Sequence, residues 1–294
     1  MRVLGAAAGG GFPQWNCGCP CCRAVREGSR PCRSRTQSSV AVSADYRRWF
    51  LLNASPDVRA QIESFDALHP RGLRESPIEA VLLTDAELDH TAGLLFLREA
   101  EGVEVHSTAA VREVLLTGTA VLRTLEAFTS VGWRRVVAGE EAQLGGGLLL
   151  YQAFEVPTRK QARFGGGRES VIGYRITDGR AGGSLVYLPG VQELTEGVLD
   201  QIERSSCLLF DGTCWRDDEL IRLGVSGKSS REMGHLPVGG EDGSLKRLSA
   251  LDIPRKIYVH INNTNPILLE DSPERRAVEE AGLEVAEDGM ELEV

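Results

Sequence analysis

The chain has 294 residues, 42% of them hydrophobic, and a formal charge of −9. That suits one large domain or two small ones with ample core. The acidic balance, without a long basic run or basic helix, argues against a nucleic-acid partner.

The N-terminus, MRVLGAAAGGG, reads as a first strand entering a loop. Its apolar run is too short for a signal sequence or a bilayer span, so a cytoplasmic protein without membrane association is expected. SSVAVS (38–43) and RRWFLLN (47–53) flank the turn ADY and predict a hairpin. PIEAVLL (77–83) predicts a strand buried on both faces, and TAGLLFLREA (91–100) a helix after it. Further strands are expected at 147–156, 170–176, 184–188, 207–212 and 255–261, with helices at 194–204 and 272–282. Pro273 suits the first turn of the last helix. Segments 159–168 and 224–231, rich in Gly with Arg or Ser, are the expected disordered stretches. The pattern as a whole is α/β, with two sheets covered by helices.

Five of the seven cysteines crowd into residues 17–32. An odd count without a secretion signal points to metal ligation rather than a disulfide framework. Several thiols within six residues can surround one ion, because Zn²⁺ takes four soft ligands in a tetrahedron. Cys17, Cys19 and Cys22 form the best triple, since C-x-C-x-x-C lets a loop turn back on itself. Cys21 and Cys32 are spares. No open position is implied, so the expectation is structural zinc on a Cys-rich loop at 16–32.

A second group is dispersed. Asp89 and His90 follow a buried strand, Asp211 closes CLLFD, His235 sits in MGHLP, and His260 ends KIYVH. Polar residues where buried strands stop are where α/β sheets build ligand sites. Singly, Asp89 would pass for a helix cap, Asp211 for a turn residue and each His for a satisfied core group. Three such strand ends in one domain predict a metal. His69 and His106 have no motif around them and are read as structural. GAAAGGG lacks the residues of a phosphate loop and is read as a tight turn.

Several segments carry a resemblance: GAAAGGGFPQWNCGCPCC, RTQSS (35–39), NASPD (53–57), FDGTCWRDDE (210–219), MGHLP (233–237) and HINNTNPILLEDSPER (260–275). With Asp89-His90 they resemble the family of B proteins of pyrroloquinoline quinone (PQQ) synthesis, within the metallo-β-lactamase superfamily. The resemblance covers essentially the whole chain, residues 1–294. It implies a single αββα sandwich domain with a zinc on Cys17, Cys19 and Cys22. The fourth zinc ligand would come from near Asn263 or from a spare Cys. It also implies an iron-dependent oxygenase that hydroxylates the tyrosine ring of a cross-linked Glu-Tyr diamino acid. Other PQQ synthesis proteins would be its partners. A zinc-dependent hydrolase and a non-catalytic PQQ carrier or export factor are the alternatives.

The superfamily's H-x-H-x-D-H signature reads here as Asp85-x-Glu87-x-Asp89-His90. Asn53 and Pro189 fall where further metal-binding Asp residues are usual, so one metal site is largely dismantled. Asp89, His90 and His260 then match a two-His-one-carboxylate Fe(II) set. Zinc is expected to substitute in purified protein. His235 and Asp211 are expected to act beside the metal, His235 as a proton carrier. Arg159 and Arg163, with Lys160 and Arg168, are expected on a substrate lid over 158–168. Arg forks bind carboxylates bidentately.

Overall fold

The computed structural model describes residues 1–160, 163–164 and 169–294. Arg168 and the whole Gly run 165–167 of the expected lid lie outside the described residues. Six strands form one sheet in chain order: β1 (Arg2–Gly5), β2 (Ser39–Val42), β3 (Trp49–Leu52), β4 (Ile78–Leu82), β5 (Gly102–Ser107) and β6 (Ser130–Arg135). Seven form the other: β7 (Glu141–Leu144), β8 (Leu149–Glu155), β9 (Ile172–Asp178), β10 (Ser184–Leu188), β11 (Cys207–Asp211), β12 (Arg255–Val259) and β13 (Glu284–Val285). Each sheet is a meander first and parallel afterwards. β1 to β3 and β7 to β10 pair antiparallel, whereas β3 to β6 and β10 to β13 pair parallel.

The sheets pack face to face. Phe50 and Leu82 from one meet Tyr174, Leu209 and Val259 from the other in a buried core. Leu51 and Val81 point outward, under the helices that carry Val111 and Leu122. Val186 and Leu208 do the same under the helices that carry Val198 and Val278. The parallel strands are therefore apolar on both faces, which is why PIEAVLL and CLLFD show no alternation. This is the αββα sandwich of the expected fold class.

Three local readings change. The helix after β4 begins at Leu88, three residues early: Leu88–Thr91 is one α-turn, continued as a 3₁₀ segment over Ala92–Leu97. The tight winding lets Gly93 press against strand β3's exit. A Cβ there would lie 2.1 Å from the Ser55 carbonyl oxygen. Segment 224–231 is described throughout, and Ser230 is buried with its hydroxyl donating to the His235 carbonyl at 3.0 Å. Strands β6 and β7 were not anticipated, because SVGWRR and EAQL lie largely exposed.

Candidate active site and metal centres

The parallel strands β4, β11 and β12 end on one side of the sandwich, and their polar termini converge there. Asp89 and His90 lie in the α-turn just after β4. Asp211 is the last residue of β11, and His260 follows β12 with a positive φ of 54°. His235 comes from the loop after the 3₁₀ turn Arg231–Met233. The N-terminal loop closes one wall. Ala8 donates to the Ile261 carbonyl, and a Cβ on Gly9 would sit 3.2 Å from Asp89 Oδ2. GAAAGGG is thus more than a turn, a role that only the assembled fold reveals.

One oxygen of Asp89 and one nitrogen each of His90 and His260 lie within 4.8 Å of one another. His260 Nε2 is 3.2 Å from Asp89 Oδ2. His90 Nδ1 faces Asp85 at 2.8 Å, so its Nε2 is turned toward Asp89. That Nε2 is buried and has no hydrogen-bond partner; Asp89 Oδ2, at 4.0 Å, is too far for a bond. A buried imidazole nitrogen left over beside a carboxylate and a second imidazole suits a metal ion. The donor set, two His and one carboxylate, suits iron or zinc.

The superfamily's two leading His positions are occupied by groups already engaged. Asp85 accepts from His90 Nδ1, from the Thr84 hydroxyl at 2.9 Å and from the Glu87 amide at 2.9 Å. It fixes the His90 ring from behind. Glu87 pairs with Lys160 at 2.7 Å.

The electrostatics favour a cation. Burial alone would raise Asp89, but His90 and His260 outweigh it and hold the carboxyl well below its usual range. Asp85 is lowered in the same way, its burial outweighed by His90. Burial would lower His90, yet Asp85 and Asp89 hold it up to about 9. Burial lowers His260, which keeps that ring neutral as a ligand must be.

Asp211, His235 and His260 also cluster within 4.8 Å. This second group is held by hydrogen bonds. Asp211 Oδ1 accepts from the Thr213 amide at 3.0 Å and the Thr213 hydroxyl at 2.6 Å. Its Oδ2 accepts from the Val191 amide at 2.9 Å and from His235 Nδ1 at 2.7 Å. A carboxylate has about four acceptor sites, and all are filled. Burial would raise Asp211, but the His235 imidazole and these bonds hold it low. His235 lines the cavity and, with Nδ1 donated to Asp211, offers Nε2 to whatever binds there.

The cavity in front has a volume of about 1020 Å³. Lys160, Arg163, Phe164 and Lys228 line it together with the metal-site residues. Arg159 does not. Its side chain is 87% exposed and reaches Glu193 at 3.6 Å, while its amide is tied to Gln192. His106 is buried against the Tyr151 hydroxyl at 3.2 Å, a packing role, and His69 lies at the surface.

The Cys loop forms a separate centre. The sulfurs of Cys17, Cys19 and Cys22 lie within 4.8 Å of one another. Cys19 caps the helix Pro20–Glu27, its sulfur accepting from the Cys22 amide. The Cys21 thiol and that amide stabilise the Cys19 thiolate and pull its pKa down, against burial. Of the groups expected to complete the site, Asn263 is in contact: its amide is 3.2 Å from Cys22 Sγ and 3.7 Å from Cys19 Sγ. Cys32 turns away to the Arg30 carbonyl, and Cys21 faces those of Thr264 and Asn265.

The β-lactamase superfamily domain matches residues 48–261. The coenzyme PQQ synthesis protein B of Methylococcus capsulatus is 46% identical, with 99% of each chain covered. That of Azotobacter vinelandii is 43% identical over 100% of this chain and 99% of its own. The crystal structure of Zn²⁺-bound PqqB from Methylobacterium extorquens superposes with a TM-score of 0.91 at 42% identity, covering 100% of this chain and 99% of that one. A diphosphatase of the PhnP family, 21% identical with a TM-score of 0.71, covers 100% of this chain and 96% of its own and shares the fold. No helix among the described residues is long and apolar enough to cross a membrane. The chain belongs to the coenzyme PQQ synthesis protein B family of the β-lactamase superfamily.

Proposed function

We propose that this chain acts in PQQ synthesis as an iron- and O₂-dependent hydroxylase of the tyrosine ring of a cross-linked Glu-Tyr intermediate. The observation that carries the reading is the Asp89, His90 and His260 donor set beside a large cavity, with an unpartnered buried His90 Nε2 turned toward Asp89. Asp89, His90 and His260 would hold one metal; Asp85 and Glu87 are bonded to His90 and Lys160, and Asp211 has its acceptor sites filled by His235, Val191 and Thr213. Fe(II) bound there would supply the O₂ chemistry that redox-inert Zn²⁺ lacks.

The chain's own groups prepare the substrate. Hydroxylation next to a phenol is helped by removing the phenolic proton, which raises electron density at the ortho carbon. His235 Nε2 is the base, and Asp211 fixes its ring with Nδ1–H inward. Lys160, Arg163 and Lys228 offer positive charge to the substrate's carboxylates. Arg159 stands outside the lining and has at most a supporting part. Phe164 gives the ring an apolar wall.

A two-zinc hydrolase needs ligands that are engaged elsewhere, so the hydrolytic alternative loses its second metal. The test is chelation of the active-site metal, anaerobic loading with Fe(II), then O₂, a reductant and a tyrosine-containing diamino acid. The expected product is heavier by oxygen and forms with Fe(II) alone. Equal turnover with Zn²⁺, or product formed without O₂, would overturn the reading.

A further inference from the structure

Thr213 lies two residues past the end of β11, and its buried hydroxyl stands at the centre of the site. It is 2.6 Å from Asp211 Oδ1, 2.9 Å from His260 Nδ1, 3.0 Å from the His260 carbonyl and 3.1 Å from His235 Nδ1. A hydroxyl has one proton to give and two lone pairs to receive. The shortest contact is to a carboxylate, which can only accept, so the Thr213 proton goes to Asp211. The lone pairs then face His260 Nδ1, which must carry a proton to be paired. His260 is left with a bare Nε2, the atom 3.2 Å from Asp89.

We propose that Thr213 is the positioning residue of the metal site. Its hydroxyl links His260 Nδ1–H to Asp211, and so fixes the tautomer and ring angle that present His260 Nε2 to the metal. The same Asp211 fixes His235, so one carboxylate and one hydroxyl set both the ligand and the base. The two rings are held nearly parallel, 5.2 Å apart with 23° between planes. On the other side Asp85 serves His90 directly at 2.8 Å. His260 is served through a hydroxyl, since the acceptor sites of Asp211 are taken by Val191, His235 and Thr213. A hydroxyl relay transmits orientation as a direct carboxylate does.

This inference rests on His260 being a metal ligand. Co(II) binding to protein that keeps its Cys-site zinc is the probe, read by titration and by the visible d–d spectrum. Thr213→Val should weaken Co(II) binding by about 10–100-fold and alter the spectrum. Thr213→Ser, which restores the hydroxyl, should return both to within a few-fold of the unaltered protein. Wild-type affinity and spectrum in Thr213→Val would overturn the proposal. So would a Thr213→Ser protein as weak as the valine variant. His260→Ala separates the two claims. If it binds Co(II) normally, the ligand assignment fails and this proposal with it. If it loses Co(II) while Thr213→Val does not, only the Thr213 role fails. Should the valine variant not fold, ¹⁵N-histidine spectra of the zinc-loaded unaltered protein decide the matter. His260 must show a protonated Nδ1, and a proton-free Nδ1 would overturn the proposal.

Discussion

The Cys17–Cys19–Cys22 and Asp89–His90–His260 clusters sit at either end of one short stretch, His260 to Asn265, and differ in what surrounds them. At its C-terminal end, Asn263 and the carbonyls of Thr264 and Asn265 press on the thiols of the Cys loop, none of which lines the cavity beside His260. At its start, His260 joins Asp89 and His90 on the wall of a cavity of about 1020 Å³. A closed set of soft donors suits an ion that holds structure. An open set of two imidazoles and a carboxylate suits an ion that meets substrate. One segment serves both because it crosses from the N-terminal loop to the ends of the parallel strands.

The largest effect is expected at the thiols. Cys17→Ser should lose zinc and destabilise the fold, since structural zinc contributes binding free energy on the order of 10 kcal/mol in small peptides. The active-site metal should still titrate. Zinc content measured by elemental analysis should fall, and an unchanged stoichiometry would remove the structural assignment.

On the open side, His235→Asn should keep the metal and lose turnover on the order of 10²–10⁴-fold. Co-loss of metal would instead move His235 into the ligand set. The difference between the sites should also show in pH. Before metal binds, Asp85 and Asp89 outweigh burial and hold His90 up to about 9. Nε2 must give up that proton to become a ligand, so affinity rises with pH and the gain ends once pH passes the raised value. Between pH 7 and 8 the increase should approach about tenfold. A competition titration at the two values checks it, and a flat response would contradict the charge state assigned to His90. The smallest effect is expected at the rim. Lys160→Ala should raise the substrate KM a few-fold and leave metal content unchanged, whereas Arg159→Ala should do little. Steady-state kinetics on both variants would reverse the assignment if Arg159 proved the stronger.

The ends of β4, β11 and β12 were legible in the sequence because apolar runs without alternation stop abruptly at Asp or His. The thiol triple was legible from spacing alone. Three things were hidden. Asp85 looked like a failed ligand, and only its contact with His90 shows what it does. Thr213 was not singled out, since nothing in FDGTC reveals that Asp211, His235 and His260 meet at its hydroxyl. Arg159 and Lys160 are neighbours, and which one faces the cavity depends on the Arg159 amide bonding to Gln192, a contact between loops far apart in sequence. Strands β6 and β7 were missed for a simpler reason. They are sheet-edge strands with little buried surface, and periodicity reports burial.

One iron held by Asp89, His90 and His260 is the proposed catalytic centre. Its most direct test is anomalous diffraction at the iron edge from crystals loaded anaerobically with Fe(II). A single peak among those three side chains, absent from the Cys loop, is the predicted result. Iron found between Asp211 and His235, or two peaks within the cavity, would contradict it.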